Sequence, residues 1–318
     1  MTKNLEISVV VPVYNEEENI NFFINEITKT LREIDKPYEI IFVMDPSTDE
    51  TEKKILENIK QNNNIKLIAL SRKFGQPLAT LAGIENCGGK FCVIIDVDLQ
   101  DPPSLIQKMY TEIKNNDLDV VYAVRNKRYG ETFVKKIIAR LGYKLINYLS
   151  DINIPTDAGD FRIISRRVIN HLKSFDEKEA FLRGLVSYIG FRQKKIVFDR
   201  MERKFGVSKY NKFFGSIKIG LNGIVGFSSK PLFLMTFFGF LISALSFLLG
   251  TWYLIQKIIG INLTPGLTTT VILISFYSGL QLFGLGLLGE YIGRIYEQVK
   301  KRPKYIIDKK INFENEIK

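Results

Sequence analysis

The sequence contains few of the residues that build disulfide frameworks and closed metal sites. Its 318 residues include one histidine and two cysteines, Cys87 and Cys92. One histidine excludes histidine-rich metal sites, and two cysteines cannot form a disulfide framework or a four-ligand zinc site. We therefore expect both cysteines to be small buried residues.

Charge is almost absent from a long stretch near the C-terminus. Between residues 231 and 289 the only charged residue is Lys257. A membrane span needs about 20 apolar residues to cross ~30 Å of hydrocarbon, and residues 232–255 and 267–288 both meet this requirement. Their connection is short and contains a Pro-Gly pair, which predicts an antiparallel transmembrane hairpin. The alternative is a hydrophobic hairpin buried in a soluble core.

The basic residues predict the orientation of this hairpin. The chain has 45 Lys and Arg against 34 Asp and Glu, a net charge of +11. Basic residues flank the hairpin on both outer sides, whereas its loop has Lys257 alone; the flanking residues include Lys230, Arg294, Lys300, Lys301, Arg302 and Lys304. Positive charge accumulates on the cytoplasmic side of membrane proteins. We therefore expect both termini in the cytoplasm, and no secretory signal because the first apolar run is broken by Pro12.

A further amphipathic segment precedes the hairpin. Between Lys212 and Phe227 apolar residues recur at helical spacing, with lysines set among them. This pattern is typical of a helix lying in the membrane surface, and a core helix of the soluble domain is the alternative. Just after the second span, Gly289 and Gly293 have the spacing of a small-residue packing pair, a pattern that permits close helix packing in a homo-oligomer.

The first ~200 residues alternate apolar strand-like runs with amphipathic helical ones. Such alternation with Val- and Ile-rich strands predicts an α/β fold with a parallel sheet, in which ligands bind beyond the carboxyl ends of the strands. The predicted strands are 7–13, 39–44, 65–70, 91–97, 120–124 and 195–198, and the predicted helices are 16–34, 51–60, 76–86 and 103–114.

Carboxylates follow three of these strands. Glu16 comes after the first, Asp45 after the second, and Asp96 and Asp98 at the end of the fourth. At the period of a strand, Asp96 and Asp98 point to the same side, and paired carboxylates bind Mg²⁺ or Mn²⁺ when substrate phosphates supply further oxygens. The alternative is that these acidic residues only cap helices.

The chain resembles a known family in six ordered motifs: PVYNEEENI, DPSTDET, LSRKFGQPLATLAGI, DVDLQDPP, GDFRIISRRV and RKFGVSKY. These motifs are similar to those of family-two glycosyltransferases, in particular the membrane-anchored polyisoprenyl-phosphate group that includes bactoprenol glucosyltransferases and dolichol-phosphate mannose synthases. The resemblance covers nearly the whole chain. It implies a GT-A fold, a nucleotide-sugar donor, a divalent cation (Mg²⁺ or Mn²⁺) and an inverting transfer to a lipid phosphate.

The resemblance also implies roles for residues at the strand ends. The base and ribose of the donor are expected to be bordered by Pro12, Tyr14 and Glu16, with Asp45 near the base, Asp96 and Asp98 at the ribose, diphosphate and metal, and Gln100 beside the acceptor phosphate or metal. One departure concerns base recognition. The family usually has Asp-Asp-Gly-Ser after the second strand, where this chain has Met-Asp-Pro-Ser.

A prenyl monophosphate acceptor carries an attacking oxygen that is mostly ionised at neutral pH, because its second pKa is near 6. A strong general base is then less necessary, and the larger problem is to hold a dianion, which the arginine fork does well. Asp160 resembles the family's proposed base, although it can instead orient the acceptor or balance an arginine. Residues expected at the acceptor phosphate are Arg125, Arg128, Arg200, Arg203, Ser208 and Lys209; attraction to anionic lipid is the alternative for any one basic residue.

With the resemblance, the chain divides into four parts. We expect a GT-A domain at 1–210, an interfacial helix region at 211–230, the two spans within 231–290 and a basic cytoplasmic tail at 291–318. The expected enzyme moves one sugar, with glucose from UDP-glucose as the first choice, onto undecaprenyl phosphate at the bacterial inner membrane. The alternatives are a processive polysaccharide synthase, which generally needs more spans and a Q-x-x-R-W run that is missing here, and a non-catalytic membrane scaffold. Nucleic-acid binding is not expected, because no recognised motif accompanies the basic charge.

Overall fold

The computed structural model describes residues 5–125, 158–177, 181–199, 224–260 and 266–314. Within these ranges the strands are β1 (Ile7–Val13), β2 (Tyr38–Met44), β3 (Ile65–Leu70), β4 (Phe91–Ile94), β5 (Val120–Arg125), β6 (Ala158–Ser165), β7 (Gln193–Phe198) and β8 (Ile307–Ile311). The helices are α1 (Glu17–Ile34), α2 (Thr51–Gln61), α3 (Gln76–Asn86), α4 (Leu105–Asn115), α5 (Arg166–Ser174), α6 (Leu182–Ile189), α7 (Lys230–Ile258) and α8 (Leu267–Val299).

The described strands form one mixed sheet in the order β7-β5-β6-β4-β1-β2-β3-β8. The first four strands along the chain run parallel to one another. Strand β6 runs antiparallel to both β4 and β5, and β8 runs antiparallel to β3. The expectation of a parallel sheet therefore holds for the centre but not for β6 and β8. Because β1, β2 and β4 are parallel and adjacent, their carboxyl ends meet at one edge, and the candidate site lies there.

Helices cover both faces of the sheet, which explains why the central strands read as continuous apolar runs. Alternate residues of β1 face opposite sides: Val9 and Val11 pack with the cores of α1, α2 and α4, while Val10 packs with α3, α5 and α6. Close contact with α3 depends on Gly83, since a Cβ at this position would lie 2.3 Å from Cγ1 of Val10. Both cysteines are free and buried in this core, as predicted.

The last two helices have a different environment. Their most apolar segments have mean hydropathies of 2.3 and 1.9, and 0% and 6% of those segments is buried. A hairpin buried in a soluble core is therefore wrong, and both helices are long and apolar enough to cross a membrane. They contact each other where Met235 fills the space above Gly284, and Tyr291 Oη donates to the main-chain oxygen of Ser228 at 2.8 Å.

The helices and strands late in the chain differ from those predicted. Helix α8 continues to Val299, beyond the predicted span, and the expected basic tail contains strand β8. Strand β6 was not predicted at all. Most of the predicted interfacial region, 211–230, lies outside the described residues.

Candidate active site at the carboxyl edge of the sheet

Hydrogen bonds join the loops that follow β1 and β2. The main-chain N–H of Asn15 donates to Ser47 Oγ at 3.1 Å, and the Asn15 side chain donates to and accepts from Thr48. The N–H of Glu16 donates to Thr51 Oγ1 at 2.9 Å. The predicted donor-binding residues after the first two strands therefore form one connected surface. Pro12 lies inside β1, where it is buried opposite Val43.

Asp45 is 3% exposed, and both oxygens of its side chain accept hydrogen bonds from main-chain N–H groups. Its Oδ1 accepts the N–H of Phe74 at 2.9 Å, and its Oδ2 accepts the N–H of Gly75 at 2.9 Å. Gly75 has a φ of +90°, a conformation that favours glycine. The predicted base-binding carboxylate thus fixes the turn that leads into α3.

This turn brings two exposed cations to the rim of the site. Lys73 Nζ lies 3.6 Å from the ring centroid of Tyr14, and Arg72 Cζ lies 4.0 Å from that of Phe74. A cation over an aromatic face is attracted by the ring quadrupole. Sequence reasoning assigned no role to either cation, although the run LSRKFGQ was recognised as a motif.

Asp96 is half-buried among other carboxylates. Burial, together with the charges of Asp160, Asp101 and Asp98, raises the pKa of Asp96 to about 8. Gln76, the first residue of α3, donates from Nε2 to Asp96 Oδ1 at 2.7 Å. Several carboxylates therefore lie together at the end of β4, and the neutral side-chain amide of Gln76 holds Asp96 by a hydrogen bond.

Asp98 lies in the same turn. Its Oδ1 accepts the main-chain N–H of Gln100 at 3.2 Å, and the intervening Leu99 has a φ of +56°. The two predicted metal carboxylates are thus close enough to interact electrostatically, as the pKa of Asp96 shows, and Gln100 is part of the same turn.

Asp160, the predicted catalytic carboxylate, lies in β6 and is held by an arginine that sequence reasoning missed. Arg183, in α6, donates from Nε to Asp160 Oδ1 at 2.8 Å and from Nη2 to Oδ2 at 3.3 Å. Burial alone would raise the pKa of Asp160, but the charges of Arg183, Arg162 and Arg125 outweigh it and lower that pKa. Burial lowers the pKa of the Arg162 guanidinium to about 10.

Arg125, which was predicted to bind the acceptor phosphate, lies in this cluster of charged side chains. It ends β5, and its Nη2 lies 3.8 Å from Asp101 Oδ1. A Cβ on Gly159 would lie 3.7 Å from the same nitrogen, which places Arg125 beside Asp160. The other predicted acceptor residues lie outside the described residues: Arg128, Arg200, Arg203, Ser208 and Lys209.

The donor set fits a cation that is shared with a phosphate ligand. Within the described ranges, no group of three or more His, Cys, Asp or Glu side chains comes together to hold an ion without other ligands. Mg²⁺ and similar hard cations prefer oxygen and are commonly held by one or two carboxylates together with substrate phosphates. Asp96 and Asp98 supply such oxygens, and burial together with the neighbouring carboxylates raises the pKa of Asp96, so a cation bound there would stabilise its charged form.

Comparisons with known proteins show which chains this one is similar to. A model of the family described as Glycosyl transferase family 2 matches residues 8–173. The bactoprenol glucosyl transferase of the SfII prophage in Shigella flexneri is 39% identical over 313 residues, covering 96% of this chain and 98% of that protein. An uncharacterized glycosyltransferase of Synechocystis is 39% identical over 304 residues, covering 95% of each. Among solved structures, the UDP complex of glucosyl-3-phosphoglycerate synthase from Mycobacterium tuberculosis has a TM-score of 0.48 and 18% identity, over 69% of this chain and 80% of that one.

Proposed function

Since the chain belongs to glycosyl transferase family 2 and has its GT-A-like mixed α/β fold, we propose that it transfers one glucose from UDP-glucose to a polyprenyl phosphate. The proposed acceptor is undecaprenyl phosphate, and the proposed place is the cytoplasmic face of the bacterial inner membrane. The chain is a glycosyltransferase; the sugar, the nucleotide and the lipid are the proposal.

The similarity to bactoprenol glucosyl transferases supports the lipid acceptor. It extends over almost the full length of both chains and so includes the two apolar helices. These helices follow the catalytic domain and suit a protein whose acceptor is anchored in a membrane. By contrast, a transferase acting on a soluble sugar has no need of such helices.

The observation that carries the proposal is the arrangement of charged side chains at the sheet edge. There the carboxylates Asp96 and Asp98 lie near a third carboxylate, Asp160, which is paired with an arginine. Asp96 and Asp98 follow β4, which lies next to β1 in the sheet. Asp160 is near enough for its charge to raise the pKa of Asp96, and it pairs with Arg183 and lies beside Arg125. One side of the site is therefore suited to a cation and a diphosphate, and the other offers positive charge to a second phosphate.

Asp96 and Asp98 would hold Mg²⁺ or Mn²⁺ together with the diphosphate of the donor. When bound, such a cation neutralises the negative charge that develops on a departing diphosphate. The main chain around Asp45 and the surface that includes Tyr14 and Glu16 then hold the nucleoside.

The transfer needs no strong base. An ionised oxygen of the acceptor phosphate forms a bond to the anomeric carbon, the bond from that carbon to the β-phosphate oxygen breaks, and the electron pair leaves with UDP. Attack from the face opposite the leaving group inverts the configuration. The lowered pKa of Asp160 makes it a poor proton acceptor, so we assign it the task of orienting the arginines that meet the acceptor phosphate.

Membranes that contain the protein provide the direct test. They are incubated with labelled UDP-glucose, undecaprenyl phosphate and Mg²⁺, and an acid-labile, chloroform-soluble product is expected. Membranes with the same amount of an Asp98→Asn variant serve as the control. A screen of other UDP- and GDP-sugars identifies the donor if glucose is wrong.

Two results would contradict the proposal. A labelled polymer of high molecular mass would indicate a processive synthase. No product with any nucleotide sugar, from protein shown to be folded, would favour a membrane scaffold.

A further inference from the structure

The segment that follows α8 returns to the catalytic domain. We call residues 304–313 the C-terminal strap. Its strand β8 adds to the outer edge of β3 in antiparallel register, with Ala69 opposite Lys309. The pairing continues past the end of β3, where the N–H of Ser71 donates to the main-chain oxygen of Ile306 at 3.0 Å. The strap therefore covers an edge that would otherwise have unpaired main-chain groups.

The strap also holds the C-terminal end of α3. Lys304 Nζ lies 3.0 Å from Glu85 Oε1, and these side chains are only 11% and 19% exposed. The hydroxyl of Tyr305 donates to the second oxygen of Glu85, and Lys310 Nζ donates to Asn86 Oδ1 at 2.7 Å. A largely buried ion pair with a further hydrogen bond is a specific contact, because losing one partner leaves the other charge uncompensated.

The chain between these two attachments carries contacts of the active site. It runs from Ser71 to Asn86, and its turn supplies the two main-chain N–H groups that Asp45 accepts. Its helix begins with Gln76, which donates to Asp96. The strap thus contacts both ends of a segment that contacts both Asp45 and Asp96.

Helix α3 is suited to transmit a displacement from one end to the other. It is regular from Gln76 to Asn86, and Gly83 lies directly against the sheet. An 11-residue helix moves as a unit on such a surface, because its main-chain hydrogen bonds are internal. A displacement of Glu85 would therefore change the position of Gln76 relative to Asp96.

We propose that the C-terminal strap positions the donor side of the active site. Lys304 and Tyr305 act through Glu85, and α3 carries their effect to Gln76 and to the turn held by Asp45. These are positioning residues, since none of them lies at the carboxylate cluster. The strap comes shortly after α8 in the chain, and Gln298 of α8 donates to the main-chain oxygen of Asp176 at 2.6 Å. The apolar helix α8 is therefore linked through the strap to the donor side of the active site. The catalytic part of the proposal rests on the proposed function.

The test combines Lys304→Met with Tyr305→Phe in the full-length protein in detergent. Lys309→Met is the matched control, because this strap lysine pairs with Glu52 at 3.3 Å with side chains that are 47% and 38% exposed. Hydrogen–deuterium exchange is measured by mass spectrometry on peptides that cover residues 72–78. We expect exchange there to be about tenfold faster in the double variant, as the partial burial of the pair implies, and unchanged in the control.

Kinetics give the second readout. The double variant should have a roughly tenfold higher KM for the nucleotide sugar, and so a tenfold lower kcat/KM for it, while KM for the lipid phosphate stays the same, since small misplacements in a site have effects of at least this size. A variant with Lys304→Arg in place of Lys304→Met keeps the positive charge, and it should recover most of the kcat/KM for the nucleotide sugar. A merely structural role would lower both efficiencies alike, through a smaller folded fraction.

The outcomes separate this proposal from the proposed function. Unchanged exchange at 72–78 in a folded double variant, or equal effects on donor and acceptor, overturns the role of the strap. If the double variant does not fold, Lys304→Met alone decides by the same comparison. If the wild-type protein makes no lipid-linked sugar, the proposed function fails, whereas the exchange experiment still decides whether the strap positions α3.

Discussion

Replacing Arg183 by glutamine removes the cation that holds Asp160. The side chains are 24% and 35% exposed, between an exposed pair, worth about 0–1 kcal/mol, and a buried one, whose disruption costs about 3–5 kcal/mol. We expect the variant to lose about 1–3 kcal/mol of unfolding free energy, which lowers Tm by roughly 3–10 °C for a domain of this size. Arg162 Nη2, at 3.9 Å from Asp160 Oδ1, limits the loss.

The same substitution changes the dependence on pH. In the wild type the pKa of Asp160 is lowered, so the stability from its charged form is present above the unfolded pKa of about 3.9 and is lost as the pH falls through the folded pKa. Without Arg183 the pKa of Asp160 rises, because burial is then less well opposed. Activity should therefore be lost at a higher pH than in the wild type.

Initial rates of lipid-linked sugar formation between about pH 4 and pH 8, together with thermal unfolding in detergent, measure both effects. Arg183→Lys keeps the charge but not the two-pronged contact, and it should lie between the wild type and Arg183→Gln. The reasoning is refuted if Arg183→Gln keeps the wild-type acid limb and Tm. It is equally refuted if the lysine variant is as impaired as the glutamine variant.

Three further predictions concern other parts of the site and its support. Asp98→Asn should abolish transfer without lowering Tm, and near-normal turnover in the radiolabel assay would defeat its assignment as a metal ligand. Asp45→Asn keeps only one good acceptor for the two buried N–H groups that lead into α3, and it should destabilise the protein by about 1–3 kcal/mol; an unchanged Tm would show that the contact is dispensable. Gly83→Ala places a Cβ 2.3 Å from Val10 Cγ1 and should cost about 1–3 kcal/mol through overpacking, seen as a lower Tm; a stabilised variant would contradict the close approach of α3.

The central strands and their helices could be predicted because both signals are strong. Strands buried on two faces read as apolar runs, and helices α1 to α4 are amphipathic or carry clear start signals, such as the glycine just before α3 and the proline in its first turn. Strand β6 could not be recognised in this way, since its sequence AGDFRIIS contains a buried arginine and breaks the alternation. It is stabilised by β4 and β5 on its two sides.

Strand β8 was missed for a related reason. Three of its five residues are charged, which is common at sheet edges but resembles a solvated tail in the sequence. Its partner, β3, is more than two hundred residues away along the chain, so only the tertiary structure shows the pairing.

The parts of the candidate site that could be predicted are acidic residues that follow a predicted strand or belong to a recognised motif. Asp96 and Asp98 could be placed together from their spacing, and Asp160 from its motif. Arg183 and Gln76 could not, because each meets its carboxylate across 20 or more residues and carries no local signal. Asp45 is predicted to lie near the nucleotide base, and the sequence did not reveal that its two oxygens accept main-chain N–H groups.

The position of β8 in the chain sets an order for biosynthesis. A ribosome completes both apolar helices before it makes β8, so the edge of β3 lacks this partner strand until both helices have been synthesised. A chain that stalls or is cut before residue 307 exposes a strand edge of the kind that other chains can extend into aggregates. The sheet of the catalytic domain is therefore complete only after both apolar helices have been synthesised.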